Sequence, residues 1–232
     1  ATIRRQRQMC IRDSPYIIDT IFLACIFRFN GRAGVTGPAN RCHGTPDRHT
    51  HISNAKWTMT PTIRLCLVLH NHQPVGNFDH VFEQAYEDSY RPFLDVFEPY
   101  DSLNLSLHTS GPLIEWLAER HPEYLDRLAA LVAAGRVEII GGAFYEPILT
   151  MITSRDRIGQ ITSFSRWLED RLGGEVRGMW IPERVWEQSL AGDLAKSEIQ
   201  YTLLDDFHFK NAGLDAEALI GHFVTCLLYT SD

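Results

Sequence analysis

The sequence predicts an α/β fold whose parallel sheet curls into an incomplete (β/α) barrel, and three observations carry that expectation. From Ile63 onward, short apolar runs alternate with amphipathic stretches of helical spacing, the order that βαβ units require. Nearly every apolar run closes on polar or aromatic residues, HNHQP, HTSGP, GGAFYEP, PERVW and DDFHF in turn, and active sites built from several strand ends are characteristic of such barrels. Finally, roughly 165 residues have the patterning of a core, where a complete barrel takes about 250. An open nucleotide-binding sheet fits the alternation too, but no G-x-G-x-x-G or G-x-x-x-x-G-K-[ST] follows any of the runs.

Strand character is expected at residues 65–70, 103–108, 137–140, 176–181 and 201–204. After the first of these, residues 80–97 place Phe82, Tyr86, Phe93 and Phe97 on related helical faces, with Pro92 expected to break the helix. Pro122 opens the run EYLDRLAALVAAG, and Gly135 closes it as a C-cap. Residues 154–172 carry Ile158, Ile161, Phe164, Trp167, Leu168 and Leu172 at helical spacing, and a last helix is expected over 188–196.

Residues 1–58 read differently. GRAGVTGPANRCHGTPDRHTHISNAK has no sustained period of 2 or 3.6 and is expected to be unstructured. The starting RQRQMCIRDS and the closing CLLYTSD resemble translated sequencing-adapter DNA. The expected division is therefore a non-native extension at 1–58, a catalytic domain at 59–225 starting at Met59, and a non-native tail at 226–232. The apolar stretch 16–27 follows Arg4, Arg5, Arg7 and Arg12, but it is shorter than the roughly 20 residues of a membrane span and contains Asp19. Neither a span nor a secretory signal is expected there.

With 44% hydrophobic and 11% aromatic residues the chain can build a real core, and a net charge of -7 without a basic run disfavours nucleic acid and anionic membrane as partners. The five cysteines are odd in number and lack C-x-x-C spacing. That pattern speaks against a disulfide framework and for a reducing, cytoplasmic location.

The chemistry centres on GMWIPERVWE (178–187), where Glu183 stands between Trp180 and Trp186 as a strand hands over to a helix. A carboxylate among aromatic rings at a strand end suggests a sugar-handling acid; the competing reading is a salt bridge to a nearby arginine. Alternation puts His70 and His72 on one face, open either to metal ligation, with His108 or Asp206 as third ligand, or to hydrogen bonds with a substrate. Gly141 and Gly142 permit close approach of the backbone, Phe144 and Tyr145 offer sugar-stacking faces, and Glu146 offers hydroxyl binding. Asp205 and Asp206 point to opposite sides of their strand end, and Asp206 is expected to face the site, with His208 nearby. From spacing, Asp206 or Glu146 would partner Glu183 as a second catalytic carboxylate.

The segments HNHQPVGNF (70–78), GRVEIIGGAFYEPIL (135–149), WIPERVWE (180–187) and LLDDFHFKNAGL (203–214) resemble, in order and spacing, successive motifs of glycoside hydrolase family 57, nearest its α-amylase and 4-α-glucanotransferase branch. The resemblance implies a (β/α)7 barrel acting on α-glucans or malto-oligosaccharides with retention, without a metal or other cofactor. It implies Glu183 as nucleophile, His72 of the HQP motif at the substrate site, and Trp180 and Glu146 lining the sugar pocket. Gln73, Asp206 and His208 complete the expected substrate-binding set. It also implies that the acid/base aspartate belongs to a later motif that neither Asp205 nor Asp206 matches, so the chain is expected to be an inactive N-terminal part of such an enzyme. Two other classes remain open: a metal-dependent polysaccharide deacetylase or mannosidase-like enzyme using His70, His72 and an aspartate, and a non-catalytic glucan-binding module using Trp180, Trp186, Phe144 and Tyr145.

Overall fold

The structure, a computed structural model, describes residues 18–22 and 25–28 by their backbone, and residues 66–216, 219 and 223. Among the described residues, seven strands form one sheet: β1 (Ile18–Phe22), β2 (Cys25–Arg28), β3 (Val68–Asn71), β4 (Leu105–Thr109), β5 (Val137–Gly141), β6 (Gly178–Met179) and β7 (Tyr201–Leu204). Strands β3 to β7 are parallel neighbours in chain order, a curled half-barrel with its helical crossovers outside. The helices are α1 (Asp79–Ala85), α2 (Arg91–Phe97), α3 (Gly111–Arg120), α4 (Pro122–Ala133), α5 (Ser154–Leu172), α6 (Leu190–Lys196) and α7 (Asp206–Asn211).

Strand alternation sorts the side chains into two layers. Leu69, Leu107 and Ile139 join the main core with Leu113, Leu117, Leu125, Leu128, Phe164 and Leu168 of the helices. Truncating one of its fully buried leucines costs about 2–5 kcal/mol. Residues one position along face the other way, and Val68, Ile140, Trp180 and Leu203 form a separate small cluster. His70 and His108, in register on β3 and β4, belong to this inner face.

Several expected elements appear with altered bounds. Pro92 does not break its helix: a π-helical turn, Tyr86–Tyr90, joins α1 to α2, with the Arg91 N–H donating to the Tyr86 carbonyl. Proline has no N–H for the carbonyl four residues back, and the wider turn absorbs that loss. Phe82, Tyr86, Tyr90 and Leu94 stay buried along it. Gly135 closes α4 at φ +70, with the Arg136 N–H donating to the Leu131 carbonyl. Ser154–Leu172 is helical as expected, opened by the Thr153 side chain accepting from the Asp156 N–H. The expected strand at 176–181 is reduced to the two residues of β6, because Pro182 and the turn behind it end the ladder early. Helix α3 was not anticipated; it begins within the strand-end segment HTSGP, whose proline suits a first helical turn.

Two short segments of the extension are strands. Strand β1 pairs antiparallel with β3, and β2 pairs antiparallel with β7, at opposite edges of the parallel sheet. The run IDTIFLACIFR is rich in β-branched and aromatic residues, and the sheet's edges offer unpaired N–H and C=O groups. Only three Cα steps separate Phe22 from Cys25, a reach of about 11 Å, so the two edges curl toward one another. Most of the extension, including Met59, and the tail at 226–232 lie outside the described residues. Among the described residues, no helix is long and apolar enough to cross a membrane.

Candidate active site

Every motif singled out in the sequence meets at the C-terminal ends of the parallel strands. There His70 and His108 stack at 4.8 Å between ring centroids, with Nδ1 to Nδ1 at 2.7 Å. The Trp180 indole lies on His70, 4.3 Å away and 10° from parallel. Burial, then the neighbouring His72, then Arg184 lower the His70 pKa to about 3. Burial, then His70 and His72 hold His108 well below the usual histidine range. Both rings are therefore neutral imidazoles at neutral pH. Gly142 makes room for this arrangement: a Cβ there would stand 2.7 Å from His108 Nε2. The close approach expected at the paired glycines is thus made by a histidine.

Just beyond β3, His72 Nδ1 lies 2.5 Å from Glu146 Oε2. Glu146 reaches it from a turn after β5, where its own φ is +49 and its N–H donates to the Ala143 carbonyl. Its second oxygen, Oε1, is buried without a hydrogen-bond partner and faces the equally unpartnered His108 Nε2 at 3.8 Å.

Glu183 sits in the short turn Pro182–Arg184, with φ +52, and Arg184 follows at φ +51. Two consecutive non-glycine residues in this region cost about 1–3 kcal/mol each and persist only when their surroundings enforce them. The enforcement is visible. Arg184 Nε donates to Asp205 Oδ2 at 3.0 Å, His208 Nε2 donates to the Arg184 carbonyl at 2.8 Å, and the Arg184 guanidinium lies 5.8 Å from the Trp180 ring centre. Glu183 itself is exposed, and among the described residues it forms no ion pair. The nearby arginine pairs with Asp205 instead.

Four of the seven expected residues, Glu183, His72, Glu146 and Trp180, share this strand-end region. Gln73 is spent on scaffolding: it is buried, its Nε2 donates to the Tyr90 hydroxyl, its Oε1 accepts from Asn77, and its N–H donates to Ser110 Oγ. Asp206 turns outward as the first residue of α7 and pairs with Lys210 at 3.7 Å. The inward carboxylate is Asp205, the extended N-cap residue. His208 holds the Glu183 turn through its backbone. His108, considered in the sequence only as a metal ligand, instead supports His70, which its matching strand-end position anticipates. An open cleft of about 640 Å³ adjoins the Glu146 turn, lined in part by Phe144, Tyr145, Arg155, Gln160 and Trp167.

The pattern of glycosyl hydrolase family 57 matches residues 66–228. The chain belongs to that family. It is 47% identical over 167 residues to an α-amylase of Pyrococcus furiosus, covering 72% of this chain and 26% of that protein. It is 43% identical over 157 residues to a 4-α-glucanotransferase of Thermococcus litoralis, covering 68% and 24%. The crystal structure of a 4-α-glucanotransferase from Thermococcus litoralis superposes with a TM-score of 0.63 at 44% identity, over 65% of this chain and 24% of that one. The chain thus spans about a quarter of the length of these relatives.

Proposed function

We propose that this family 57 chain carries the nucleophile of a retaining α-glucan hydrolase or 4-α-glucanotransferase. The observation that supports it is the placement of Glu183: an exposed carboxylate on a left-handed turn that Asp205 and His208 pin at the strand ends. In this reading the Glu183 carboxylate attacks the anomeric carbon of a glucosyl unit, and a β-linked glycosyl ester forms as the glycosidic oxygen leaves. Water or a sugar hydroxyl then attacks the ester from the opposite face, which restores the α configuration. His72 and Glu146 hold sugar hydroxyls, and Trp180 backs the His70 ring that borders them.

The departing glycosidic oxygen needs a proton, and neither Asp205 nor Asp206 matches the acid/base aspartate that the family resemblance implies. A substrate whose leaving group departs unprotonated bypasses that requirement. Incubated with a 5-fluoro-α-glucosyl fluoride, the chain should gain the mass of one fluoroglucosyl unit, mapped by peptide sequencing to Glu183. An adduct on any other carboxylate, or none on folded protein, would sink the proposal. The malto-oligosaccharide substrate and the cytoplasmic location are part of the same proposal.

A further inference from the structure

Among the described residues, His70, His72 and Glu146 each bring one nitrogen or carboxylate oxygen within 4.8 Å of the others. From this cluster we infer a binding site for a divalent transition-metal ion of the zinc or cobalt class, held by two imidazoles and one carboxylate. The inference goes beyond the glycosidase reading and does not depend on it.

The donor set suits such an ion. Two histidine nitrogens and one carboxylate oxygen make a three-ligand site that leaves a fourth position open to water or to a sugar hydroxyl. Ligand bonds of about 2.0–2.2 Å require the three atoms to draw together by roughly 1 Å, within reach of His72, whose side chain is 35% exposed.

The surroundings of His70 are those of a metal-binding histidine. Its Nδ1 faces His108 Nδ1 at 2.7 Å, so one ring must donate and the other accept. The far nitrogen of His108 is buried and turned toward Glu146 Oε1. A carboxylate there favours the proton on His108 Nε2, which makes His108 Nδ1 the acceptor and His70 Nδ1 the donor. The His70 lone pair then resides on Nε2, the atom left for a ligand. A histidine whose second nitrogen donates to a fixed partner is the usual support around a metal site. The Trp180 indole, stacked at 4.3 Å, fixes the plane of the ring.

Glu146 contributes the second observation. It is held at φ +49, and its buried Oε1 lacks any hydrogen-bond partner. A buried carboxylate oxygen without a donor is costly, and a cation beside it removes the cost. The ion displaces the contact between His72 and Glu146.

The test is a cobalt(II) titration of the metal-free full chain, followed by the visible d–d absorption of nitrogen- and oxygen-bound cobalt. Histidines of the N-terminal segment, His43, His49 and His51, offer a competing origin for any signal, so the triple variant with all three changed to alanine is titrated alongside. The expected result is one cobalt per chain in the wild type and in the triple variant, with affinity reduced at least about tenfold by His72→Ala and by Glu146→Gln. Glu146→Gln preserves shape, so it decides if His72→Ala fails to fold. Absence of a cobalt band, an affinity unchanged in Glu146→Gln, or a signal lost in the triple variant would each overturn the inference. Glycosyl labelling of Glu183 is read separately, so either proposal can fail alone.

Discussion

The two ends of the same five parallel strands are built on opposite plans. At the N-terminal end, polar groups satisfy one another. Arg136, the residue before β5, donates to the carbonyls of Phe97, Glu98 and Tyr100 at the close of α2, and its guanidinium covers the Phe97 ring at 4.6 Å. Helix-end carbonyls need such partners. Glu138 accepts from Ser106 and from Arg177. At the C-terminal end, Glu146, Glu183 and Arg184 are left-handed, and His108 Nε2 and Glu146 Oε1 lack partners. Incomplete bonding at that end leaves groups available to a ligand, which is what the proposed site requires.

Glu198 gives the control for that contrast. It too is left-handed, at φ +64, but it lies at the N-terminal approach to β7 and closes α6, with the Ile199 N–H donating to the Leu194 carbonyl. Its strain belongs to an ordinary helix cap. Positive φ alone therefore does not mark the site; positive φ on a residue that supplies a carboxylate to the strand ends does.

The largest effect is expected at Glu183. Glu183→Gln should slow labelling by the glycosyl fluoride by about 10³-fold or more, as removal of a nucleophile does, with folding stability changed by less than about 0.5 kcal/mol. Next is Arg136→Ala. It should lower stability by about 3 kcal/mol in denaturant titrations, since several charged hydrogen bonds and buried carbonyls lose their partner, while labelling of the folded fraction keeps its rate. If Arg136→Ala slowed labelling as much as Glu183→Gln, the division between the two ends would fail.

Asp205→Asn comes third. It weakens the clamp on Arg184 while preserving shape, and displacing a reacting group by about 1 Å costs up to about 10²-fold. Labelling should slow by about 10- to 100-fold, with a stability loss below about 1 kcal/mol for a part-exposed pair. The same measurement on Asp206→Asn should show no change, because that side chain faces solvent beside Lys210. The smallest effect is Glu198→Gly, which should raise stability by about 0.5–1 kcal/mol through relief of the left-handed backbone and leave labelling untouched.

Much of the strand-end plan was legible in the sequence because polar and aromatic residues interrupt apolar runs at those points. Glu183, His72, Glu146 and Trp180 were singled out that way, and the structure places all four at the strand ends. Expectation and geometry part where one residue of phase decides where a side chain lies. Asp205 and Asp206 are adjacent, and only the start of α7 determines which one turns inward. Gln73 looked like a substrate ligand because its partners Tyr90 and Ser110 lie far along the chain. The left-handed turn at Glu183 carries no glycine, so no local signal announced it.

The most direct test of Glu183 as nucleophile is chemical rescue. With Glu183→Ala, azide can occupy the vacated space and attack the anomeric carbon of an α-glucosyl fluoride from the face the carboxylate would use. A nucleophilic Glu183 predicts β-glucosyl azide, formed only in this variant. Failure to form any glucosyl azide on folded Glu183→Ala, or formation of the α-anomer, would contradict it.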